Sequence, residues 1–312
     1  MVFFAKFFKL LFKITSFRKH YYGLYKRVFK PFSLFKGLVI TSSYDNDLKI
    51  KLNIDDCIQQ QIYFLDFYDK RGINFLKKHL KKGDGFIDIG ANIGSYSLIA
   101  SKLVGEHGKV HAFEPIEDVY NRLLFNVQLY DLENVTTCKK AIYETKDLLK
   151  FFVSSHENLG MSSIFHHDTE SGHMERVEAI SLDEYVSALN IEKINLIKID
   201  IEGAELFALK GMQNTIKKFR PIIVMEISED VLQNSSIKST DVIDFMEEFD
   251  YSRCAINQNG EQIDISHDHQ NNYYNYAFYP LNTTAKIEVT SDFSSSENTI
   301  RNPEYPAKEQ NG

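Results

Sequence analysis

Residues 85–97 constrain the fold of this chain more than any other stretch. They open with a short apolar run around Phe86 and Ile89, which is typical of a buried strand in a parallel sheet. Gly90 and Gly94 then bracket a turn, and a segment with helical apolar periodicity follows. A strand, a glycine turn and a helix in this order form a nucleotide-binding crevice at the carboxyl end of the strand. Glycine suits such a turn because it has no Cβ and lets the backbone approach a ligand closely.

The spacing of this turn separates three nucleotide-binding motifs. A dinucleotide fingerprint, G-x-G-x-x-G, would need glycines where Asn92 and Ser95 stand, and a phosphate-binding P-loop would need a lysine well before Lys102. The remaining pattern is D-x-G-x-N-x-G, with Asp88 two residues before the first glycine. A carboxylate repels a pyrophosphate but accepts a hydrogen bond from an ammonium or hydroxyl group. The pattern therefore favours a cationic, phosphate-free nucleoside such as S-adenosylmethionine, and a turn that only connects strand to helix is the alternative.

An acidic residue after the next predicted strand completes the expected cofactor site. Residues 109–113 predict that strand, and Glu114 follows Gly90 by 24 positions. An acid at this place can accept both ribose hydroxyls of a bound nucleoside, whereas an exposed acid at a strand end is the alternative. The third predicted strand, 134–138, ends at the same crevice. The residues placed there to enclose an adenine are Lys140, Ala141 and Ile142.

A second stretch, residues 194–205, brings carboxylates to the same crevice. Leu196 to Ile199 predicts a buried parallel strand, and Asp200 stands at its carboxyl end. Three carboxylates within six residues are poor candidates for core positions, because uncompensated buried charge is costly. We expect Asp200 to act on the reacting group, while Glu202 and Glu205 have the alternative of acids at a helix N-terminus. The candidate catalytic residues are Asp200, Glu202 and Lys198. The candidate cofactor-binding residues are Asp88, Gly90, Ala91, Asn92, Gly94, Ser97, Glu114, Pro115, Lys140, Ala141 and Asp200.

Residues 154–173 predict a loop over the crevice. Four of the ten histidines fall in this loop, but their spacing matches no compact metal-ligand set, so we expect no metal site. Loops over pockets commonly carry binding residues. Residues 148–153 before the loop predict an edge strand, with residues 177–180 as its partner. The candidate substrate-binding residues are Asn158, Ser162, His166 and, after a later strand, Glu226.

The net charge of −7 is unevenly distributed along the chain. Residues 1–44 hold nine basic residues and no acid, and the remainder holds 27 bases against 43 acids. Within residues 1–17, three lysines share one helical face and aromatic or aliphatic residues cover most of the rest. The lysines keep every apolar run too short to span a bilayer or to form a signal peptide. Such a helix fits the interface of an anionic membrane; the alternatives are a helix docked on the core, a poorly ordered end and a targeting peptide.

Four motifs make the chain resemble the FkbM family of class I S-adenosylmethionine-dependent methyltransferases. They are F-I-D-I-G-A-N-I-G-S-Y-S at 86–97, F-E-P at 113–115, S-L-D-E-Y at 181–185 and I-K-I-D-I-E-G-A-E at 197–205. The resemblance runs from about Gly83 to Glu226, with weaker support to Tyr279. It implies an α/β Rossmann-like fold, with a mostly parallel seven-stranded sheet and helices on both faces. Residues 251–257 and 273–279 themselves predict a C-terminal antiparallel hairpin. The resemblance also implies O-methylation, typically of sugar or natural-product hydroxyls.

We therefore expect an S-adenosylmethionine-dependent O-methyltransferase that acts on a hydroxyl of a glycan, a glycolipid or a related natural product. The alternatives are a membrane-tethered nucleoside-binding protein without turnover and a nicotinamide-dependent oxidoreductase. Three separated cysteines favour a reduced, cytoplasmic location. We further expect peripheral contact between residues 1–38 and an anionic membrane, and no nucleic-acid partner. The expected divisions are a basic aromatic segment (1–38), a capping region (39–82), the methyltransferase domain (83–282) and a disordered tail (283–312).

Overall fold

The structure, a computed structural model, describes residues 1–45, 47–154, 160, 162–165, 172–232, 235, 237–263, 265 and 275–281. Its strands, in chain order, are β1 (Val39–Tyr44), β2 (Leu48–Asn53), β3 (Gly85–Ile89), β4 (Lys109–Phe113), β5 (Val135–Cys138), β6 (Ala141–Ile142), β7 (Asp147–Ser154), β8 (Gly172–Ile180), β9 (Leu196–Ile199), β10 (Ile222–Glu226), β11 (Tyr251–Ile256), β12 (Gln262–Ile263) and β13 (Asn275–Pro280). Its helices are α1 (Val2–Phe12), α2 (Thr15–Arg18), α3 (Tyr21–Leu24), α4 (Cys57–Leu65), α5 (Lys70–His79), α6 (Ser95–Val104), α7 (Glu117–Gln128), α8 (Leu182–Ala188), α9 (Glu205–Lys210), α10 (Gln213–Phe219), α11 (Glu229–Leu232) and α12 (Ser239–Glu248). A π-helical turn, Tyr25–Phe29, follows α3.

The largest sheet has the strand order β12-β11-β13-β10-β9-β3-β4-β5. Strands β5, β4, β3, β9 and β10 are parallel, which confirms the mostly parallel sheet predicted from the apolar runs. The two-residue β12 extends one edge beyond the seven strands expected. Phe86 of β3 packs in one apolar cluster with Leu98 of α6, whereas Ile87 packs in another with Leu209 of α9. Helices therefore cover both faces of the sheet, and this is why its central strands are mostly apolar, with Asp88 in β3 and Lys198 in β9 as charged exceptions.

The predicted C-terminal hairpin is confirmed, with β11 and β13 antiparallel and Tyr251 opposite Pro280. Strand β13 also pairs antiparallel with β10, so it lies between β10 and β11. The last described strand in the sequence thus occupies an interior position of the sheet.

The edge strand predicted at 148–153 and its predicted partner at 177–180 are both present, and they lie outside the main sheet. Strands β7 and β8 pair antiparallel with Leu149 opposite Val177, but together with β6 they form a separate three-stranded sheet. The chain leaves the main sheet after β5, and β6 pairs with β8 instead. Alternating burial is the same for a strand in either sheet, so the pattern alone cannot place it.

The N-terminal segment packs on the core through one face of α1. Phe12 is only 1% exposed, and its ring centroid lies 5.4 Å from that of Phe64 in α4 and 5.5 Å from that of Tyr21. Arg18 adds to this contact by donating a hydrogen bond to the carbonyl oxygen of Leu65. Docking of this helix on the core, one of the alternatives considered for residues 1–17, is therefore present in the structure.

The opposite face of α1 stays exposed. Among the described residues, no helix combines the length and the apolar character needed to cross a bilayer. The boundaries proposed after residues 38, 82 and 282 stay predictions. One apolar cluster includes residues of α1 and residues of the main sheet. The predicted tail, 283–312, lies outside the described residues.

Replacing the inward aromatic of α1 tests this docking. Phe12→Ala removes a ring that is 1% exposed, so we expect the free energy of unfolding to fall by about 3 to 5 kcal/mol. Phe3→Ala is the matched control, because Phe3 lies on the same helix and is 77% exposed. Urea denaturation followed by circular dichroism measures both variants. Equal destabilisation by the two substitutions would contradict the docked orientation of α1.

Candidate functional site

The carboxyl ends of β3, β4 and β9 open into a cleft that encloses about 1030 Å³ of space, including its part open to solvent. The glycine turn after β3 forms its floor, with Gly90, Ala91 and Asn92 along the lining. Glu114 after β4 and Asp200 after β9 line the same cleft. Ligands of open α/β sheets bind at this edge because the strand ends and their following turns meet there. The two stretches singled out from the sequence therefore converge on one site.

The glycine turn is pressed against the end of β9. Gly90 has a φ of 79°, and a Cβ at this position would overlap the carbonyl oxygen of Asp200. Gly94 has a φ of 92°, and a Cβ there would lie 2.8 Å from a methyl carbon of Leu123. Any other residue would be strained at these angles or would push the turn away from β9. The turn consequently lies directly against the backbone of Asp200 at the end of β9.

Glu114 fastens the turn as well as lining the cleft. It is 7% exposed, and its carboxylate oxygens accept hydrogen bonds from the backbone N–H groups of Asn92 (3.1 Å) and Ile116 (3.0 Å). Burial raises the pKa of Glu114 to about 7, although these two N–H groups act in the opposite direction. A carboxylate oxygen has lone pairs beyond one hydrogen bond, so Glu114 can also accept from ribose hydroxyls.

A buried lysine lies between two carboxylates next to the turn. Lys198 stands opposite Asp88 in the parallel register of β9 and β3. Its ammonium nitrogen lies 3.1 Å from Asp200 Oδ2, 3.8 Å from Asp88 Oδ1 and 3.3 Å from the carbonyl oxygen of Gly90. Burial favours a lower pKa for Lys198, but the carboxylates of Asp200 and Asp88 outweigh it and raise the pKa. Lys198 is therefore a cation that positions Asp200, and it is unsuited to act as a base.

The position of Asp88 corrects the ligand contact expected for it. Asp88 is fully buried and lies off the cleft lining, and its carboxylate accepts a hydrogen bond from Ser97 at 2.5 Å. Burial raises its pKa, against the opposing effects of Lys198 and Ser97. Ser97 is likewise fully buried, and neither it nor Gly94 lines the cleft. Asp88 and Ser97 therefore act on the cleft through Lys198 and the first turn of α6.

Asp200, Glu202 and Glu226 lie together, as the sequence predicts. The side chain of Asp200 is 29% exposed, which leaves its carboxylate accessible from the cleft. Asp200 and Glu202 also line a smaller adjoining pocket, about 230 Å³ in open volume, which Glu226 borders from the end of β10. The backbone of Glu202 is left-handed, with a φ of 53°, and its carbonyl oxygen accepts a hydrogen bond from Ser163 at 2.6 Å.

Glu205 holds the turn that carries Glu202. Its side chain is 3% exposed and accepts hydrogen bonds from the backbone N–H groups of Ile201 (3.3 Å) and Gly203 (3.2 Å). Glu205 lies in the first turn of α9, which agrees with the alternative of a helix N-terminal acid. Burial raises its pKa to about 7, against the effect of these N–H groups. Ser163 therefore holds the turn from one side and Glu205 from the other.

The remaining predicted residues divide into three groups. Pro115 and Ala141 line the cleft, as does Lys140, whose ammonium pairs with Glu178 at 3.0 Å. Ser162 lines the cleft from the loop after β7. Asn158 and His166 lie outside the described residues. Among the residues that the structure does describe, no group of three or more His, Cys, Asp or Glu side chains could hold a metal ion.

Sequence reasoning missed the aromatic wall on the N-terminal side of the cleft. The ring of Tyr96 lies 4.8 Å from the Lys198 ammonium nitrogen, and its hydroxyl donates a hydrogen bond to Asp69. Tyr68 and Ile58 add to the wall from the region before the central strand. That region was expected to form a capping region, but no local signal marks these two residues. Tyr96 could have been found, because the first turn after a glycine loop faces the crevice.

Glu205→Gln keeps a side-chain oxygen that can accept the hydrogen bonds from Ile201 and Gly203, and it removes the titratable carboxyl group. The folded pKa of about 7 lies above the ordinary 4.5, so the folded protein retains a proton that the unfolded chain releases. The corresponding stability is present below about pH 4.5 and is lost as the pH rises through about 7. Between about pH 5 and 8 we expect the wild type to lose about 3 kcal/mol of unfolding free energy relative to Glu205→Gln.

Urea denaturation across this pH range measures the difference. Glu133→Gln, at an exposed position, is the matched control and should show no pH-dependent difference from the wild type. A constant difference between the wild type and Glu205→Gln would show that Glu205 is already ionised throughout the range.

The residues of the cleft fit S-adenosylmethionine. The glycine turn leaves a space that a Cβ would fill, and Glu114 lies at its rim with capacity for ribose hydroxyls. Apolar side chains, among them Ile142 and Tyr143, line the side where an adenine would lie. Asp200 lines the same cleft, so its carboxylate is available to a group that lies beside the bound cofactor. No lysine or arginine donor set for a phosphate is found on the turn itself.

Comparisons with known proteins identify the family of the chain. A family model described as the methyltransferase FkbM domain matches residues 88–254. The chain is 30% identical to the hexuronic acid methyltransferase AglP of Haloferax volcanii, over 49% of this chain and 59% of AglP. It is 26% identical to the AMB antimetabolite synthetase AmbE of Pseudomonas aeruginosa, over 56% of this chain and 10% of AmbE. The chain thus spans little more than half of the first relative and a tenth of the second.

Two further similarities cover comparable parts of the chain. A probable cobalt-precorrin-6B C(15)-methyltransferase of Saccharolobus solfataricus is 28% identical over 47% of this chain and 77% of its own length. A solved structure of a methyltransferase FkbM from Methylobacillus flagellatus KT aligns with a TM-score of 0.41 at 14% identity, over 71% of this chain and 52% of that one. The family model covers more than half of the chain. The chain therefore belongs to the FkbM family of methyltransferases, with S-adenosylmethionine as its methyl donor.

Proposed function

We propose that this protein transfers a methyl group to a hydroxyl of a glycan, a glycolipid or a related natural product. The observation that carries the proposal is the carboxylate of Asp200. It is partly exposed in the cleft, directly beside the glycine turn, and held at 3.1 Å by the Lys198 ammonium group. An enzyme of this type must align an acceptor oxygen with the methyl group and help to remove the hydroxyl proton. Asp200 is placed for both tasks.

The cofactor side of the cleft supports binding and orientation. S-adenosylmethionine supplies an electrophilic methyl group on its sulfonium. Glu114 would accept hydrogen bonds from the ribose hydroxyls, and the Gly90 turn would let the backbone approach the cofactor. Lys198 lines the cleft and donates a hydrogen bond to the carbonyl oxygen of Gly90, whereas Asp88 lies off the lining and pairs with Lys198.

The acceptor side is acidic, which favours a neutral hydroxyl-bearing acceptor. Glu202 and Glu226 border the pocket that adjoins Asp200, and carboxylates there can accept hydrogen bonds from sugar hydroxyls. A carboxylate or phosphate placed in this pocket would meet repulsion from the same groups, so a charged group of the acceptor has to lie away from Glu202 and Glu226. The relative named as a hexuronic acid methyltransferase supports a sugar-containing acceptor. In the reaction, the acceptor oxygen would form its bond to the methyl carbon as the methyl–sulfur bond breaks and S-adenosylhomocysteine leaves with the bonding electrons. Asp200 would take up or orient the hydroxyl proton.

A nucleoside-binding protein without turnover is the rival to this proposal. It is disfavoured because cofactor binding alone does not require an accessible carboxylate at Asp200. Membership of a methyltransferase family sets the nicotinamide-dependent oxidoreductase aside. The proposal retains a cytoplasmic location and a peripheral contact between residues 1–38 and an anionic membrane.

Asp200→Asn tests the acceptor side. The amide keeps the shape but cannot take a proton, so we expect kcat to fall about 100-fold or more. The Kd for S-adenosylmethionine, measured by calorimetry, should stay within about threefold of the wild type, which is below 1 kcal/mol. Asp244→Asn, on the exposed side of α12, is the matched control. Unchanged kcat would remove Asp200 from the reaction, and a large loss of cofactor affinity would assign it to cofactor binding instead.

The assay measures S-adenosylhomocysteine released with a panel of uronic-acid and neutral glycans. Mild alkali then distinguishes the products, because it cleaves a methyl ester and leaves a methyl ether intact. An alkali-stable product is expected for a hydroxyl acceptor. A product that alkali removes would move the reaction to a carboxylate.

Glu114→Ala tests the cofactor side. Loss of its carboxylate removes the ribose acceptor and frees the N–H groups of Asn92 and Ile116. We expect the Kd for S-adenosylmethionine to rise about 10- to 100-fold, as for the loss of one or two hydrogen bonds to a charged group. Glu133→Ala, at an exposed position, should leave the affinity unchanged. Calorimetry with the full chain makes the measurement, and an unchanged affinity in Glu114→Ala would contradict this role.

A further inference from the structure

Helix α1 has an apolar face that no other described part of the chain covers. Phe3, Phe7 and Leu10 are 77%, 50% and 67% exposed, and we name these three residues the outward stripe. Their spacing of four and then three residues places them on one side of the helix. Ile14 and Phe17, just beyond α1, are 56% and 46% exposed. Isolated exposed apolar residues are ordinary, but a continuous apolar face of this kind marks an interaction surface.

The docked side of α1 fixes the direction of this stripe. Ala5 and Phe12 are 0% and 1% exposed, and Phe8 packs its ring 5.0 Å from Phe29 by centroid. Lys9 turns toward the body of the protein, where it donates a hydrogen bond to Ser42 at 2.6 Å. The helix therefore cannot rotate to bury the outward stripe without losing its inward packing.

Basic residues surround the stripe, and acids are absent from the segment. Lys6 and Lys13 are exposed and seven residues apart, so they lie along one edge of the stripe. Residues 1–44 carry nine basic side chains and no acidic one. Exposed Phe32, at 74%, adds another apolar side chain to the same segment. Aromatic and aliphatic residues next to lysines match the chemistry of a bilayer interface with anionic headgroups.

We propose that the outward stripe inserts into the interface of an anionic bilayer, with Lys6 and Lys13 at the level of the lipid phosphates. The proposed function includes a membrane contact of residues 1–38, and this proposal assigns that contact to one face of α1. It does not depend on methyl transfer, so the two proposals can fail separately.

The charge of the rest of the chain favours one orientation of the protein on an anionic membrane. Beyond residue 44 the chain holds 27 basic against 43 acidic residues, so an anionic surface repels it. The charge balance therefore favours an approach of the N-terminal segment to such a membrane. Through its inward side, α1 packs on α4, and Ile58 of α4 lines the cleft. Docking of α1 thus fixes how the cleft stands relative to the bilayer.

Vesicle flotation with the full chain tests the proposal. The probes are vesicles of phosphatidylcholine with 30% phosphatidylglycerol, about the anionic content that attracts basic segments, and vesicles of phosphatidylcholine alone. We expect the wild type to float with the anionic vesicles. Replacing the outward stripe (Phe3→Ser, Phe7→Ser, Leu10→Ser) should weaken this binding roughly 100-fold or more. Lys6→Gln with Lys13→Gln should weaken it about tenfold or more and reduce its sensitivity to salt.

The matched control replaces three exposed apolar residues elsewhere, Leu148→Ser, Met174→Ser and Leu189→Ser, and should float like the wild type. Calorimetry with S-adenosylmethionine and thermal unfolding check that every variant remains folded. Three results would overturn the proposal: a wild type that does not float, a stripe variant that floats as well as the wild type, or equal binding to neutral vesicles. A fourth is a wild-type dimer by light scattering that the stripe substitutions convert to a monomer, which would assign the face to a second copy of the chain.

Discussion

The rest of the site depends on one buried cation, the ammonium group of Lys198. An unpaired charge in this position would be strongly destabilising, and the carboxylates of Asp88 and Asp200 compensate for it only at short distance. The pairing requires Asp88 and Lys198 to face each other across β3 and β9, so the register of the two central strands and the charge balance support each other. The carbonyl oxygen of Gly90 joins the same group, which connects the cofactor turn to the reactive end of β9.

The sequence predicts the central architecture because local signals and the long-range arrangement agree there. Apolar runs mark β3 and β9, glycines mark the turn, and acids mark the strand ends. The role of Asp88 shows the limit of this reasoning. Successive residues of a strand point to opposite faces, and the motif does not say whether Asp88 points into the crevice or toward the neighbouring strand. The partner that decides it, Lys198, is 110 positions away.

Local sequence patterns could not predict the features that arise from contacts between distant segments. Tyr96 meets Asp69 because α5 and α6 pack side by side, and neither residue indicates the other. The separate sheet of β6, β7 and β8 has the same alternation as an edge strand would have. In residues 1–17, the composition is compatible with docking and with an interface, and the structure shows that one helix has a face for each: Phe12 inward and Phe3 outward. Amphipathic periodicity reports that two faces exist, not which partner each one meets.

The place of β13 has a consequence for how the chain is completed during synthesis. The ribosome synthesises β10 and β11 before residues 275–280. In the sheet, β10 and β11 are not neighbours, because β13 lies between them and pairs with both. Until β13 arrives, the hydrogen-bonding groups along one edge of β10 and one edge of β11 lack their native strand partner. Unpaired edges of this kind template association with other chains. A nascent chain of this protein therefore passes through a stage in which the sheet is open at its middle, and the last described strand closes it.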